Sequence, residues 1–415
     1  MSSAYQADIA IVGGGVSGLW LLNLLRDAGH DAILFEALAP GAGQSLASQG
    51  MIHGGVKYTL GGAVTAASET IAAMPGRWRG CLAGELAGEG DVDLRGVNVL
   101  ADGCYLFSGT SSSRGFLFGN DSLFGQRSLF GRGALFGLGA SSRLATFFAS
   151  KLLRGRIDRL ERSAFPSALD NPAFKGGVYR LDDLVLDTAS LLQHLVARQA
   201  GALFIEAVSS EQGQLVTTDG TAIQAETIIL AAGAGNEALI QQAGLPVKMQ
   251  RRPVHQVMVT GDLPEFHAHA VSMLSGDKPQ VTITSHRHGG GLTWYLGGGL
   301  AEDGVGLSSA EQIEAARALL KELLPWIDVS ACRFASLQID RAEPHQQESS
   351  RPDMPYVKRY GNYLVCWPTK LTLAPLVGDL VLEQLGETRT RSSAAELPER
   401  NAPTPAIAQP PWLVL

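Results

Sequence analysis

The sequence predicts an α/β fold in two domains, and three features carry the prediction. A short apolar strand runs straight into Gly13-x-Gly15-x-x-Gly18, an acid ends the next strand at Glu36, and a later strand stops in Ala231-Ala-Gly233-Ala-Gly235. These place a discontinuous Rossmann-like, nucleotide-binding domain at residues 5–80, 180–245 and 336–387. Residues 81–179 and 246–335 read as a second, substrate domain of mixed antiparallel sheet. A chain of 415 residues is long enough to bury the cores of both.

The first element is the strand Ile9–Val12, followed by an amphipathic helix (Leu19, Leu22, Leu25) that ends near Gly29, a residue suited to a left-handed cap. Gly13 allows a tight turn, Gly15 lets backbone approach a pyrophosphate, and Gly18 lets helix pack on strand. The helix start offers unpaired N–H groups and partial positive charge to phosphates. The second strand, Ala32–Phe35, delivers Glu36, which can accept hydrogen bonds from a ribose diol. Next comes APGAGQSLASQG (39–50), whose small residues let backbone pass close to a flat ligand while Ser45 and Ser48 offer hydroxyls. Residues 201–235 hold two or three strands with turns at Glu211-Gln-Gly213 and Asp219-Gly220, the last being Thr227–Leu230.

With these motifs in this order, the chain resembles the FAD-dependent oxidoreductases of the D-amino-acid oxidase and glycerol-3-phosphate dehydrogenase superfamily, over about residues 6–387. The resemblance implies FAD as cofactor, contacted by Gly13, Gly15, Gly18, Glu36, Ser45, Ser48, Gln49, Val208, Gly233, Leu371 and Thr372. Ile52-His53-Gly54-Gly55, with Lys57 and Tyr58, is similar to a segment of the glycerol-3-phosphate enzymes that passes the flavin. It implies His53 near flavin and substrate, and Lys57 and Tyr58 near the substrate's polar end. An imidazole there suits removal of a hydroxyl or ammonium proton; the alternative is a histidine that only holds a packed turn. Arg341 stands where the superfamily often keeps an arginine for a carboxylate or phosphate, which a guanidinium fork reads bidentately.

Asp353-Met-Pro355 is similar to the family's Asp-x-x-Pro turn, and Tyr363–Trp367 reads as a strand before Pro368-Thr369-Lys370-Leu371-Thr372 and a helix running to about Leu385. Lys370 matches the glycerol-3-phosphate enzymes, and Pro368-Thr369 replaces their two glycines. Lys370 would stabilise negative charge at the flavin's pyrimidine edge; the alternative is a solvated lysine.

In the second domain, 251–261 and 292–299 alternate as half-buried strands, and Ser308-x-x-Glu311 caps an amphipathic helix (Ile313, Ala316, Leu320, Leu323). Arg252, His255 and Tyr295 face either a pocket or a structural partner. His286 and His288 have no carboxylate or cysteine at ligand spacing, so 284–291 reads as a hairpin loop and no metal is expected. Leu-Phe-Gly recurs at 117, 123, 129 and 135, within an insertion at about 115–140. Segment 111–165 holds nine Lys/Arg against three Asp/Glu, so residues 115–162 either dock on an anionic membrane or pack on the body or another subunit. The Pro-, Ala- and Ser-rich end, 388–415, is expected to be mobile.

A net charge of −7 argues against nucleic acid as main partner. Four scattered cysteines suit a reducing compartment, and neither a secretory signal nor a membrane span is expected, so a cytoplasmic protein, possibly membrane-associated, is the reading. The resemblance implies oxidation of a small anionic substrate by hydride transfer to FAD: a secondary alcohol such as glycerol 3-phosphate, or a 2-hydroxy acid, with quinone or oxygen as electron acceptor. The alternatives are an amino-acid or secondary-amine oxidase or dehydrogenase, and a flavin-bearing scaffold whose insertion binds a partner.

Overall fold

The apolar run at Ile9–Val12 forms the end of a strand, Tyr5–Val12, that lies parallel to Ala32–Glu36 on one side and Ala222–Leu230 on the other. Ile9 and Ile11 enter one core and Ala10 and Val12 another, the two-faced burial that parallel sheets require. Leu203–Ile205 and Tyr363–Trp367 extend the parallel set at its two edges. Helices Val16–Asp27, Thr188–Arg198 and Ala374–Leu385 cover one face. The computed structural model describes residues 5–55, 66–108, 157–211, 213–271, 278–289, 291–347, 350–386 and 404–414. The Leu-Phe-Gly repeat, Lys57 and Tyr58 lie outside them.

A second sheet runs in the order Arg333–Pro344, Met249–Gly261, Gly291–Gly297, Val281–His288, Ala268–Val271, Cys104–Ser108, Val178–Leu181, Ile157–Arg159. One of its faces (Val257, Val259, Ile283, Trp294, Leu296) packs on the helix Ser309–Leu323, which begins with the expected Ser308–Glu311 capping box. The other face presents Arg252, Gln256, Thr282, Gly297 and Arg341 toward the first sheet, across a cavity. Among the described residues no helix is long and apolar enough to cross a membrane, and no His, Cys, Asp or Glu cluster could hold a metal.

Three expectations are corrected here. Arg333–Pro344 pairs with Met249–Gly261 along its length, so residues 336–344, Arg341 included, belong to the second sheet. His286 and His288 lie in a strand, Val281–His288, and the described turn begins at Gly289, after it. The alternation decides this: Thr282, Thr284, His286 and His288 share a polar face, with His288 Nε2 2.9 Å from Thr293 Oγ1 and Thr284 Oγ1 3.1 Å from His286 Nε2. Finally, the end of the chain is not all mobile: residues 404–414 return to the body, where Trp412 is buried.

Glycines test the packing. A Cβ on Gly18 would fall 1.9 Å from the Gly13 carbonyl oxygen, whereas one on Gly29 meets nothing within 4 Å although φ is +86°. Gly18→Ala should therefore cost at least ~3 kcal/mol, because backbone must move. Gly29→Ala should cost only about 1–2 kcal/mol of left-handed strain. Urea midpoints of the two variants check the difference.

Candidate active site

Between the sheets lies a cavity of about 1140 Å³. Its floor begins at the glycine turn. Gly13 has φ +111°, and a Cβ there would sit 2.4 Å from Ala232 Cα, so the two strand ends meet only through glycine. Gly15 caps the helix Val16–Asp27 without a side-chain bond, and the Ser45 hydroxyl accepts the Val16 N–H at 2.9 Å. Ser17, within the glycine motif, lines the cavity with a buried Oγ that has no hydrogen-bond partner among the described residues. Glu36 accepts the Gly14 N–H at 2.6 Å and the Leu38 N–H at 3.0 Å, which fixes its carboxylate at the rim.

The segment 39–50 forms one wall. The Ser48 hydroxyl donates to the Ser45 carbonyl at 2.9 Å, and the Gln49 amide donates to the backbone carbonyls of Tyr295 (2.8 Å) and Thr282 (3.0 Å). Gln49 thereby fastens this segment to the second sheet. His53 is buried; its backbone N–H donates to the Thr372 hydroxyl at 3.0 Å, and the next N–H, of Gly54, donates to buried Asp183 at 2.7 Å. Lys370 is buried too, its ammonium 3.0 Å from the Asp353 carbonyl.

The opposite wall comes from the second sheet. Arg341 Nη2 donates to Glu302 at 3.1 Å, and Lys278 holds the same carboxylate at 2.7 Å. Burial pushes the Glu302 carboxyl up, but the bonds and charges of Lys278 and Arg341 overcome it and hold the group at about 2. Arg252 is held bidentately by buried Glu343 at 2.7 and 2.8 Å.

The cavity thus gathers Gly13, Gly15, Glu36, Ser45, Ser48, Gln49, His53, Val208, Gly233, Arg341, Lys370, Leu371 and Thr372 in one lining. Gly18 is a correction: it does not line the cavity but serves the contact of helix and strand. His255 turns away, between the Gly304 carbonyl (3.0 Å) and the Ser336 hydroxyl (2.9 Å), and Tyr295 stands behind the wall. Sequence reasoning missed Ser17, although it stands inside the motif, and Glu302, Gln256 and Asp183, which no motif marks. The glycine cradle, the helix start and the unpartnered Ser17 hydroxyl fit a dinucleotide pyrophosphate.

A family model described as FAD-dependent oxidoreductase matches residues 8–384. The chain is 42% identical over 425 residues to the probable FAD-dependent oxidoreductase PA4991 of Pseudomonas aeruginosa, with 100% of this chain and 99% of that protein covered. The crystal structure of PA4991 superposes with a TM-score of 0.78 at 38% identity, covering 100% and 99% of the two chains. Glycine oxidase from Geobacillus kaustophilus shares the fold at 18% identity, with a TM-score of 0.64 and 96% and 99% covered. Iminodiacetate oxidase from Chelativorans sp. BNC1 is likewise similar in fold, at 18% identity, a TM-score of 0.61, and 96% and 100% covered.

The loop before Lys370 stores strain. Thr369 has φ +60°, a left-handed conformation that a β-branched residue adopts at a cost of about 1–3 kcal/mol. Thr369→Gly relieves it, less ~0.5–1 kcal/mol of backbone entropy. Glycine also gives up the Thr369 hydroxyl's long bond to the Met354 carbonyl, 3.3 Å, worth about 0.5 kcal/mol, so the variant should lie between slightly less stable than the parent and about 2 kcal/mol more stable in denaturant titration.

Proposed function

This chain belongs to the FAD-dependent oxidoreductase family, and on that premise we propose that it oxidises the C–N bond of a small amino or imino acid. Gly13, Gly15, Ser17, Glu36, Ser45, Ser48, Gln49, Val208, Gly233, Leu371 and Thr372 would hold FAD along the cavity. When bound, FAD supplies the two-electron acceptor for hydride from the substrate carbon. The remaining work falls to side chains: fixing the substrate's charges, taking a proton from nitrogen, and excluding water.

The observation that carries the reading is the Arg341–Glu302 pair on the cavity wall, 3.1 Å apart. A cation and an anion side by side complement an ammonium carboxylate. Glu302, held near a pKa of about 2, is ionised throughout the working range. Its second partner, Lys278, has a side chain 65% exposed, so a substrate ammonium can take over its charge on Glu302 while the lysine returns to water at small cost. A phosphate or hydroxy acid brings no cation for Glu302 and meets its charge instead, which favours the amine over the alcohol. The glycine oxidase and iminodiacetate oxidase similar in fold act, by their names, on compounds of this kind.

His53 is the group we assign to receive the nitrogen proton, since it is buried in the cavity lining and its loop is pinned by Thr372 and Asp183. The substrate loses a C–H as hydride and an N–H as a proton, leaving an imine that water hydrolyses. Lys370 places a buried positive charge at the same end of the cavity.

Anaerobic loss of visible flavin absorbance across a substrate panel tests the reading. Small amino or imino acids should bleach the protein, while glycerol 3-phosphate and 2-hydroxy acids should not; the reverse pattern would sink it. With an active amino acid, Arg341→Ala should raise KM at least about tenfold, as expected when a charge-assisted bond of ~1.5–3 kcal/mol is lost. His53→Ala should keep FAD but slow its reduction by roughly a hundredfold or more. An unchanged reduction rate would return His53 to a purely structural role.

A further inference from the structure

Residues 404–414 touch both sides of the seam between the cofactor segment and the second sheet. On one side, the Ala408 N–H donates to the Pro40 carbonyl at 2.9 Å, and Ile407 and Ala408 pack on the core beneath the first sheet. On the other, Trp412, only 6% exposed, lies against Met258, Tyr295 and Leu337 on the cavity-side face of the second sheet. Its ring stacks on His286 with centroids 3.8 Å apart and planes at 18°, and meets Tyr295 edge-on at 5.7 Å.

Tyr295 is the centre of that seam. Its hydroxyl stands between Gln256 Oε1 at 2.6 Å and the Ala47 carbonyl at 3.0 Å, and its own carbonyl accepts from Gln49 at 2.8 Å. Ala47, Gln49 and Gln256 line the cavity; Tyr295 and Trp412 do not. Among the neighbours of Trp412, Tyr295 is the one that bonds residues of the cavity lining, so it carries the effect of Trp412 to the site. Without the indole, the phenol edge and the His286 face would meet water, which competes for the hydroxyl's bonds. Pro405, Pro410 and Pro411 limit the freedom this segment loses on docking, so it can be held by few contacts.

We infer that residues 404–414 are a strap across this seam, and that Trp412 is a positioning residue that sets Tyr295 and, through it, the Ala47, Gln49 and Gln256 side of the FAD cavity. The inference goes beyond the proposed reaction and does not depend on the substrate.

The test uses the full chain, a chain ending at residue 403, and the variants Trp412→Ala, Trp412→Phe and Tyr295→Phe, each titrated with FAD. The truncated chain and Trp412→Ala should bind FAD at least about tenfold more weakly, and the visible circular dichroism of bound FAD should change. Trp412→Phe, which keeps an aromatic face on His286, should recover most of both, and Tyr295→Phe should reproduce the loss. The gap in melting temperature between FAD-loaded and FAD-free protein should narrow in the impaired variants, because linkage to ligand weakens; plain packing damage lowers both temperatures together. The strap is overturned if Trp412→Ala, or Tyr295→Phe where the alanine variant does not fold, keeps the parent's FAD affinity and dichroism, whatever its melting temperature.

Discussion

The contact between Gly18 and the carbonyl of Gly13 sets the geometry on which the rest depends. There is no room for a single carbon between them. This closeness brings the first turn of the helix Val16–Asp27 to the carboxyl end of the strand Tyr5–Val12, with its N–H groups at the cavity. Once that turn is fixed, Ser45 can cap Val16, and the segment 39–50 is carried along one wall to Gln49. Gln49 hands the constraint to the second sheet by bonding two of its backbone carbonyls. A bond to backbone specifies position without demanding a partner side chain, and Gln49 can reach these two strands, Val281–His288 and Gly291–Gly297, because residue 297 is glycine: a Cβ there would fall 2.4 Å from the Gln49 amide oxygen.

Charge is distributed on the far wall by a different rule. Arg252 is matched by Glu343, which is almost wholly buried, through two short parallel bonds, an arrangement whose rupture costs about 3–5 kcal/mol. That arginine is committed to structure. Arg341 has a single bond to a partly exposed Glu302, which is itself shared with a largely exposed lysine. The second pair can exchange partners at low cost, and the first cannot. The two arginines lie directly opposite in register, Arg252 beside Arg341, so the rigid pair also keeps the adaptable one aimed at the cavity.

How much of this was legible in the sequence depended on whether chemistry was local. The glycine motif, Glu36, the Ser-rich segment and the capping box at Ser308 are short-range patterns, and the chain folds there as they direct. Ser17 sits inside the motif, but its task shows only in the fold, as a buried hydroxyl without a partner among the described residues. Glu302 follows a glycine turn with no pattern around it, and its meaning comes from Arg341 and Lys278, neither of them near in sequence. The polar alternation through His286 and His288 reads as a loop from sequence, since it lacks a metal-ligand pattern and polar residues on a strand usually mean solvent. Here they face the interior, and burial, with the neighbouring His267 and His288, pushes the His286 imidazole down to about 3, so that it stays neutral.

The expectation of mobility is overturned over residues 404–414 for a related reason, while 388–403 lie outside the described residues. Proline, alanine and serine predict mobility when a segment has nothing to bury. One tryptophan changes that balance, because a large aromatic surface removed from water is worth several ordinary contacts. The receiving surface had to be unusual as well. A neutral imidazole offers a flat face for stacking, and burial, with His267 and His288 nearby, keeps His286 neutral even in mild acid. The strap and the polar strand are thus mutually dependent: Trp412 helps keep His286 dry, and a dry His286 gives Trp412 its platform. Neither could be read from its own stretch of sequence, since each is explained by the other.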